Sequence, residues 1–293
     1  MMTRKGIPDV TIPNGFIEQC EQEQLHLSGA IQPHGALVVS SLDGRVSHVS
    51  ANLANLLKTD ERVEQLLDQP LPAFLQEFYD SAPPLNEGER YVGQGNTDQQ
   101  EFDGIISHNG EQLIFELYPV DAHADPMPMP GEAYPVPEDR ETLERQCQQV
   151  LEALLRLSGF DRVHYYRFMP EGDGEVTAEA RQPHIEGSYL GLRFPASDIP
   201  QVARRLYVQN PWRSIPDAAA QSIPIVGRTQ ASTPNLTWAD LRSVSPVHQE
   251  YMANMGVGAA ISLPIIQAGE LDALISCHSG APKQLTVSQL QAM

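Results

Sequence analysis

Residues 121–137 read Asp-Ala-His-Ala-Asp-Pro-Met-Pro-Met-Pro-Gly-Glu-Ala-Tyr-Pro-Val-Pro, and this stretch limits the fold more than any other. Proline fixes φ and removes a backbone donor, so at this density it admits neither a helix interior nor a central strand. The segment reads as a semi-extended linker, residues 122–137, that divides the 293 residues into two units, each long enough to bury a core. The expected organisation is an N-terminal segment 1–35, a first domain 36–121, the linker, and a second domain 138–293.

Both units read as α+β. In the first, apolar stretches over 36–49 flank the turn signal Asp43-Gly44, and short helices follow over 51–67. Residues 104–107 and 112–120 alternate around Asn109-Gly110, the pattern of a second hairpin in an antiparallel sheet. In the second unit Leu143, Cys147, Val150, Leu151, Leu154 and Leu155 recur at helical spacing through 138–158, which puts Cys147 on the buried stripe. The run 162–168 alternates, turns through Glu171-Gly172-Asp173-Gly174 and returns over 175–180 as a hairpin. Ser245-Pro246 opens a helix with serine as N-cap and proline at the first position, Gly256 ends it, and His248, Tyr251, Met252 and Met255 share one face. Residues 258–266 and 271–278 form a strand pair through Ala268-Gly269-Glu270. No internal repeat of fixed period runs through the chain.

Nineteen basic against 38 acidic side chains, a net charge of -19, argue against nucleic acid and anionic membrane surfaces as partners. No apolar run approaches the roughly 20 residues a membrane span needs, and residues 1–10 lack a signal-peptide core. A soluble, cytoplasmic protein is expected. Cys20, Cys147 and Cys277 are an odd set without CxxC spacing, which disfavours a disulfide scaffold or a zinc knuckle.

Cys20 lies among Glu18, Glu21 and Glu23, carboxylates that raise a thiol pKa and argue against a self-activated nucleophile. Addition to the vinyl group of a bound ligand needs only proximity and a nearby acid or base; an unreactive surface thiol is the plain alternative. Asp198 precedes Ile199-Pro200 and a helical run through Tyr207, so it is either the N-cap of that helix or a carboxylate offered to ring N–H donors. His248 is either an ordinary buried histidine or polar lining of a ligand slot, and Arg213 and Arg242 are either solvated charges or forked partners for two carboxylates. In the last strand Asp272, Leu274, Ser276 and His278 face one way and Ala273, Ile275 and Cys277 the other. That alternation excludes a Cys277–His278 couple and sends Cys277 into the core.

Several short motifs occur in a fixed order. Cys20 precedes Ser28-Gly29-Ala30-Ile31-Gln32-Pro33-His34-Gly35, then come Tyr166-Arg167-Phe168 and Phe194-Pro195-Ala196-Ser197-Asp198-Ile199-Pro200. Leu241-Arg242-Ser243-Val244-Ser245-Pro246-Val247-His248, Tyr251 with Asn254-Met255-Gly256-Val257, and Cys277-His278 complete the set. In these motifs the chain resembles the bacterial phytochromes, red/far-red photoreceptors, over nearly its whole length. The resemblance implies a PAS domain and a GAF domain, each a central antiparallel sheet with flanking helices. It also implies that the segment before Ile31 is threaded through a GAF loop in a figure-of-eight knot, an exception to unknotted chains.

The cofactor implied by the resemblance is biliverdin IX-alpha, thioether-linked to Cys20, since a cysteine near the N-terminus is the family's mark for this bilin. Asp198 would offer its carbonyl to the ring nitrogens with His248 beside them, and Arg213 and Arg242 would hold the propionates with Ser245 and Ser262. His278 would meet the ring D carbonyl. Tyr166, Phe194, Tyr207 and Tyr251 would shape the ring D space, and Ile199 and Pro200 belong to the same bilin-binding set. Light would rotate ring D about C15=C16.

The resemblance further implies a PHY domain and an output module, a histidine kinase or diguanylate cyclase, after the last residue, and a homodimer for the full-length protein; the chain itself is not expected to be an enzyme. Without the PHY partner of Asp198, incomplete photoconversion is expected. The chain departs from the family in three places: Ala260 replaces a hydroxyl residue, His164 an apolar one, and Asp272-Ala273 a Trp-Gly pair. The competing readings are a PAS–GAF sensor of a cyclic nucleotide, of haem or of a metal held by His34, His248 and His278, and a thiol hydrolase using Cys20, against which its acidic surroundings count.

Overall fold

The computed structural model describes residues 23–120, 135–228 and 233–293. Cys20 and most of the proline-rich segment lie outside them. Thirteen strands are present among the described residues: β1 Ala30–Ile31, β2 Ala36–Ser41, β3 Val46–Ser50, β4 Arg90–Asn96, β5 Glu101–His108, β6 Gln112–Pro119, β7 Arg162–Phe168, β8 Gly174–Arg181, β9 Arg193–Phe194, β10 Arg213–Ile215, β11 Ile223–Gly227, β12 Ala259–Gln267 and β13 Glu270–Ser279. They form two antiparallel sheets, ordered β1-β11-β3-β2-β6-β5-β4 and β10-β12-β13-β7-β8-β9.

The first sheet is buried on both faces, and the period of two along β2 shows how. Ala36 and Val38 join a cluster with Leu53, Leu75 and Phe78 from the short helices Leu53–Leu57 and Ala73–Asp80. Leu37 and Val39 point the other way, into a cluster with Leu151, Trp212, Leu241 and Ile261 of the second unit. One apolar core therefore runs across the seam between the two sheets.

The seam is interlocked as well as packed. Strand β11 follows the second sheet's β10 in sequence yet lies in the first sheet, between β1 and β3. On the other side of β1, residues 236–243 bond the same N-terminal stretch: Leu236 N–H donates to the His26 carbonyl at 2.8 Å, Gln32 N–H to Leu241 at 2.7 Å and Ser243 N–H to Ala30 at 3.1 Å. Residues 26–32 thus lie between two arms of one excursion from the second unit, the arrangement that the expected threading requires of the described residues.

Helix Arg140–Ser158 starts where Asp139 Oδ1 accepts the Thr142 N–H at 2.8 Å, and it stops at Gly159, whose φ of 62° is a left-handed value that glycine adopts freely. Its stripe is shorter than the spacing predicts. Leu151, Leu154 and Leu155 are buried, but Leu143 is 54% exposed and Cys147 is only half-buried. The helix lies on β7 and β8 through its C-terminal turns, and the first turns overhang the sheet. Among the described residues, no helix is long and apolar enough to cross a membrane.

Candidate functional site

A turn, two helices and one sheet face enclose the site. Pro195 and Pro200 bracket a short 3-10 turn, Ala196–Asp198, that leads into helix Gln201–Gln209. Arg204 pins this turn from one helical turn inside: its Nε donates to the Ile199 carbonyl at 2.7 Å and its Nη2 to Gly172 at 2.7 Å and Ala196 at 3.2 Å. Its guanidinium lies 4.4 Å from the Phe168 ring centroid, adding a cation–π contact. The helix cap is Pro200, with no side-chain cap bond, so Asp198 is not the N-cap that its position before the helix allows. Its carboxylate turns inward instead. Oδ2 accepts the Tyr251 hydroxyl at 3.0 Å, while Oδ1 is buried without a partner. Burial raises the Asp198 pKa against the pull of that bond, and burial beside Asp198 drives the Tyr166 and Tyr251 phenols upward.

Helix Pro246–Asn254 presents His248 and Tyr251 to the same space. Ser245 accepts the His248 N–H at 3.2 Å and proline occupies the first turn, as the serine–proline pair dictates. The two rings stack with centroids 6.1 Å apart and planes at 15°. His248 is exposed, and the ring surface it leaves open is wall of the slot. Desolvation there first, and then the charge of Arg213, holds its pKa down to about 4, so the imidazole is neutral.

Two adjoining hollows share Asp198, Ile199, Tyr207, Arg213, His248 and Tyr251 as walls. They are two parts of one slot. The first part also takes in Pro200, Arg242 and Ser245, together with Glu23 and Leu25 of the N-terminal segment. Arg213, in register with Ser262 across β10 and β12, donates to the carbonyls of Asp240, Arg242 and Ser243. Arg242 is 8% exposed, and burial with the neighbouring Arg213 lowers its pKa to about 9, leaving it cationic at neutral pH.

The second part reaches β7, β9, β12 and β13 through Tyr166, Phe194, Ser262 and His278 in turn. His164 and His278 meet edge to face at 4.9 Å and 79°, and each buries an Nδ1 without a partner. Burial lowers the His278 pKa to about 4, with help from Arg162 and His248. Next to them runs a buried ion pair, Arg162–Glu179, whose carboxylate also accepts the Ser188 hydroxyl at 2.6 Å and the Tyr189 N–H at 3.0 Å. Arg162 covers the Tyr189 ring at 3.9 Å.

Residues 20–120 match the PAS fold and residues 142–293 match the GAF domain. The bacteriophytochrome of Pseudomonas aeruginosa is 36% identical across 95% of this chain, which spans 38% of that protein. The solved chromophore-binding domain of the Stigmatella aurantiaca bacteriophytochrome, in the Pr state, aligns with a TM-score of 0.79 at 35% identity, over 94% of this chain and 95% of that one. The chain belongs to the bacteriophytochrome family. The chromophore-binding domain of a further bacteriophytochrome, from R. palustris, aligns with a TM-score of 0.75 at 32% identity, over 93% of each chain. As a member of the bacteriophytochromes, the chain is a PAS–GAF sensor module and not a catalytic domain.

Of the residues expected in a bacteriophytochrome site, Tyr166, Phe194, Asp198, Ile199, Pro200, Tyr207, Arg213, Arg242, Ser245, His248, Tyr251, Ser262 and His278 all line the joined slot. Cys20 lies outside the described residues. The metal-sensing alternative does not hold as a set: His34 lines a separate hollow with Gln32 and Pro216, and the described residues contain no group of three His, Cys, Asp or Glu able to hold a metal. Sequence reasoning missed Arg204 and the Arg162–Glu179 pair. Arg204 ties nearby Ile199 and Ala196 to Gly172 farther back in the chain, and the Arg162–Glu179 pair closes the β7–β8 hairpin, whose register the sequence pattern does not give.

Proposed function

We propose that this chain is a red/far-red light-sensing module that binds biliverdin in the slot between the turn at Asp198 and the helix Pro246–Asn254. What carries the reading is the slot's division of labour. Arg242 lies in its first part, Arg213 and Asp198 line both, and Tyr166 and His278 lie in the second; Asp198 Oδ1, Tyr166 Oη and His278 Nδ1 are each buried without a partner. Buried polar groups demand partners. An elongated tetrapyrrole, with carboxylate tails, central N–H groups and a terminal ring carbonyl, matches that distribution from end to end.

When bound, the bilin supplies absorption in the red and a C15=C16 double bond about which ring D turns. The chain's residues do the rest. Arg213 and Arg242 offer forked donors to the propionates with Ser245 and Ser262 beside them. Asp198 and the neutral His248 face the ring nitrogens. His278 meets the ring D carbonyl in a space walled by Tyr166, Phe194, Tyr207 and Tyr251.

Glu23, three residues after Cys20 in the sequence, lines the slot, and we assign to the Cys20 thiol the attachment to the pigment's ring A. The thiol adds across a vinyl group there: the S–C bond forms, the S–H proton passes to the vinyl carbon, and nothing is oxidised. We place a PHY domain, an output module and a dimer contact in the longer protein, as the 38% span of the Pseudomonas relative leaves room for, and assign the whole to the cytoplasm.

Biliverdin uptake by Cys20→Ser tests attachment. The variant is expected to hold pigment that a denaturing gel strips off, whereas the parent keeps a zinc-fluorescent band. A pigment-free parent band would overturn the assignment of Cys20.

A further inference from the structure

Glu116 sits in the middle of β6, opposite Leu37 and Ile105, and is fully buried. A glutamate inside a sheet that is covered on both faces is costly unless its oxygens are used. Glu116 Oε1 accepts the Leu241 N–H at 2.6 Å, across the seam, and the Tyr118 hydroxyl at 3.3 Å.

Leu241 belongs to the stretch 239–243, which is held from several sides. The Gln32 side-chain amide donates to the Asp240 carbonyl at 3.2 Å and to Ser214 at 2.9 Å, and the Gln32 N–H donates to Leu241 at 2.7 Å. Asp240 Oδ1 accepts the Ser214 N–H at 2.8 Å. The same stretch is what Arg213 grips, through the carbonyls of Asp240, Arg242 and Ser243, and it carries Arg242 itself. The one backbone N–H that Glu116 bonds therefore lies next to both slot arginines in the chain of contacts.

We infer that Glu116 is a positioning residue for the bilin site: from the first sheet it fixes the Leu241 backbone, and through it the geometry with which Arg213 and Arg242 meet two carboxylates. This rests on the bilin reading above. Its surroundings fit the role. Glu116 Oε2, Asp240 Oδ2 and Arg90 Nη1 are each buried without a partner, so the seam holds three charged groups that packing alone does not require. Burial raises the Glu116 pKa to about 7, with Asp240 adding to the rise and Arg90 opposing it. The bond from Leu241 survives in either protonation state because Oε1 remains an acceptor.

The test is biliverdin affinity in a Cys20→Ser background, where binding is reversible, compared with biliverdin dimethyl ester, which lacks the two carboxylates. Glu116→Gln keeps the acceptor and is expected to stay within about twofold of the parent. Glu116→Met removes it at similar volume and is expected to weaken biliverdin about tenfold, the scale of one lost hydrogen bond to positioned charge. The ester should lose almost nothing.

Equal losses for both ligands, or no loss for either, overturn the inference. Should the ester not bind the parent, adding Glu116→Met to Arg213→Met decides: no further loss supports the role, and a full additive loss overturns it. If Glu116→Met does not fold, Glu116→Asp, which draws the carboxyl back, must reproduce its pattern; if that also fails to fold, Glu116 is a structural residue and the inference falls. A parent that takes up neither pigment form instead refutes the bilin reading itself.

Discussion

Asp198 joins the local chain to the chemistry of the slot. Its place before Ile199-Pro200 is legible in the sequence, but its partner is not, because Tyr251 lies far downstream and only the fold brings the hydroxyl to 3.0 Å. Tyr251→Phe removes the hydroxyl that part-buried Asp198 Oδ2 accepts, beside an Oδ1 that is already buried without a partner. The expected cost to the pigment-free protein is about 1–3 kcal/mol, read by urea unfolding, and an unchanged midpoint would count against that bond. His164 is a second residue-scale case. The sequence marks it as a departure, and the structure explains its place, edge-on to His278 at 4.9 Å. His164→Met is expected to leave covalent attachment intact and to move the red absorption band, since the contact that orients His278 is lost. A superimposable spectrum would show that His278 needs no such support.

Elements were legible where their signal is local. Ser245-Pro246 did open a helix with the expected serine cap, and the alternation in β13 did bury Cys277 completely while leaving His278 on the slot side. The strands β1, β9 and β10 were not legible. They are two or three residues long and exist only because distant strands pair with them. The helical stripe misled at Cys147 because periodicity shows which face is apolar, not how far the sheet beneath it extends. Close packing between β7 and β8 gives a prediction at this scale. A Cβ on Gly174 would lie 1.8 Å from Tyr166 Cζ and 2.0 Å from its hydroxyl, so Gly174→Ala must displace a ring that walls the slot. We expect a destabilisation of about 1–3 kcal/mol together with weaker pigment uptake. Thermal unfolding and a biliverdin titration check the two parts separately.

At the scale of the whole molecule, two domains share one core and one interlocked seam, and buried titratable groups tie their stability to pH. His34 and His278 have folded pKa values near 4 against an ordinary 6.5. The folded state then binds fewer protons than the unfolded chain in that window, and stability falls as pH drops from 6.5 toward 4. Glu116 works in the opposite direction. Its pKa is raised from 4.5 to about 7, so its contribution is present below 4.5 and is lost as pH rises through 7. Urea midpoints of the pigment-free protein should fall steeply in acid. The stability of Glu116→Gln relative to the parent should rise between pH 4.5 and 7, by on the order of 3 kcal/mol at most; a constant difference would show that Glu116 does not titrate there.

That the chain holds a PAS and a GAF domain was legible from its motifs, as were the residues that line the slot. The seam was not, because Glu116 and Asp240 read as ordinary acidic residues until the fold buries them. The most direct measurement of the central claim is the absorption spectrum of the biliverdin-loaded protein before and after red illumination. A protein-bound red band that red light changes and that recovers in the dark or under far-red light is expected. A spectrum identical to free biliverdin, or a bound band indifferent to light, would contradict it.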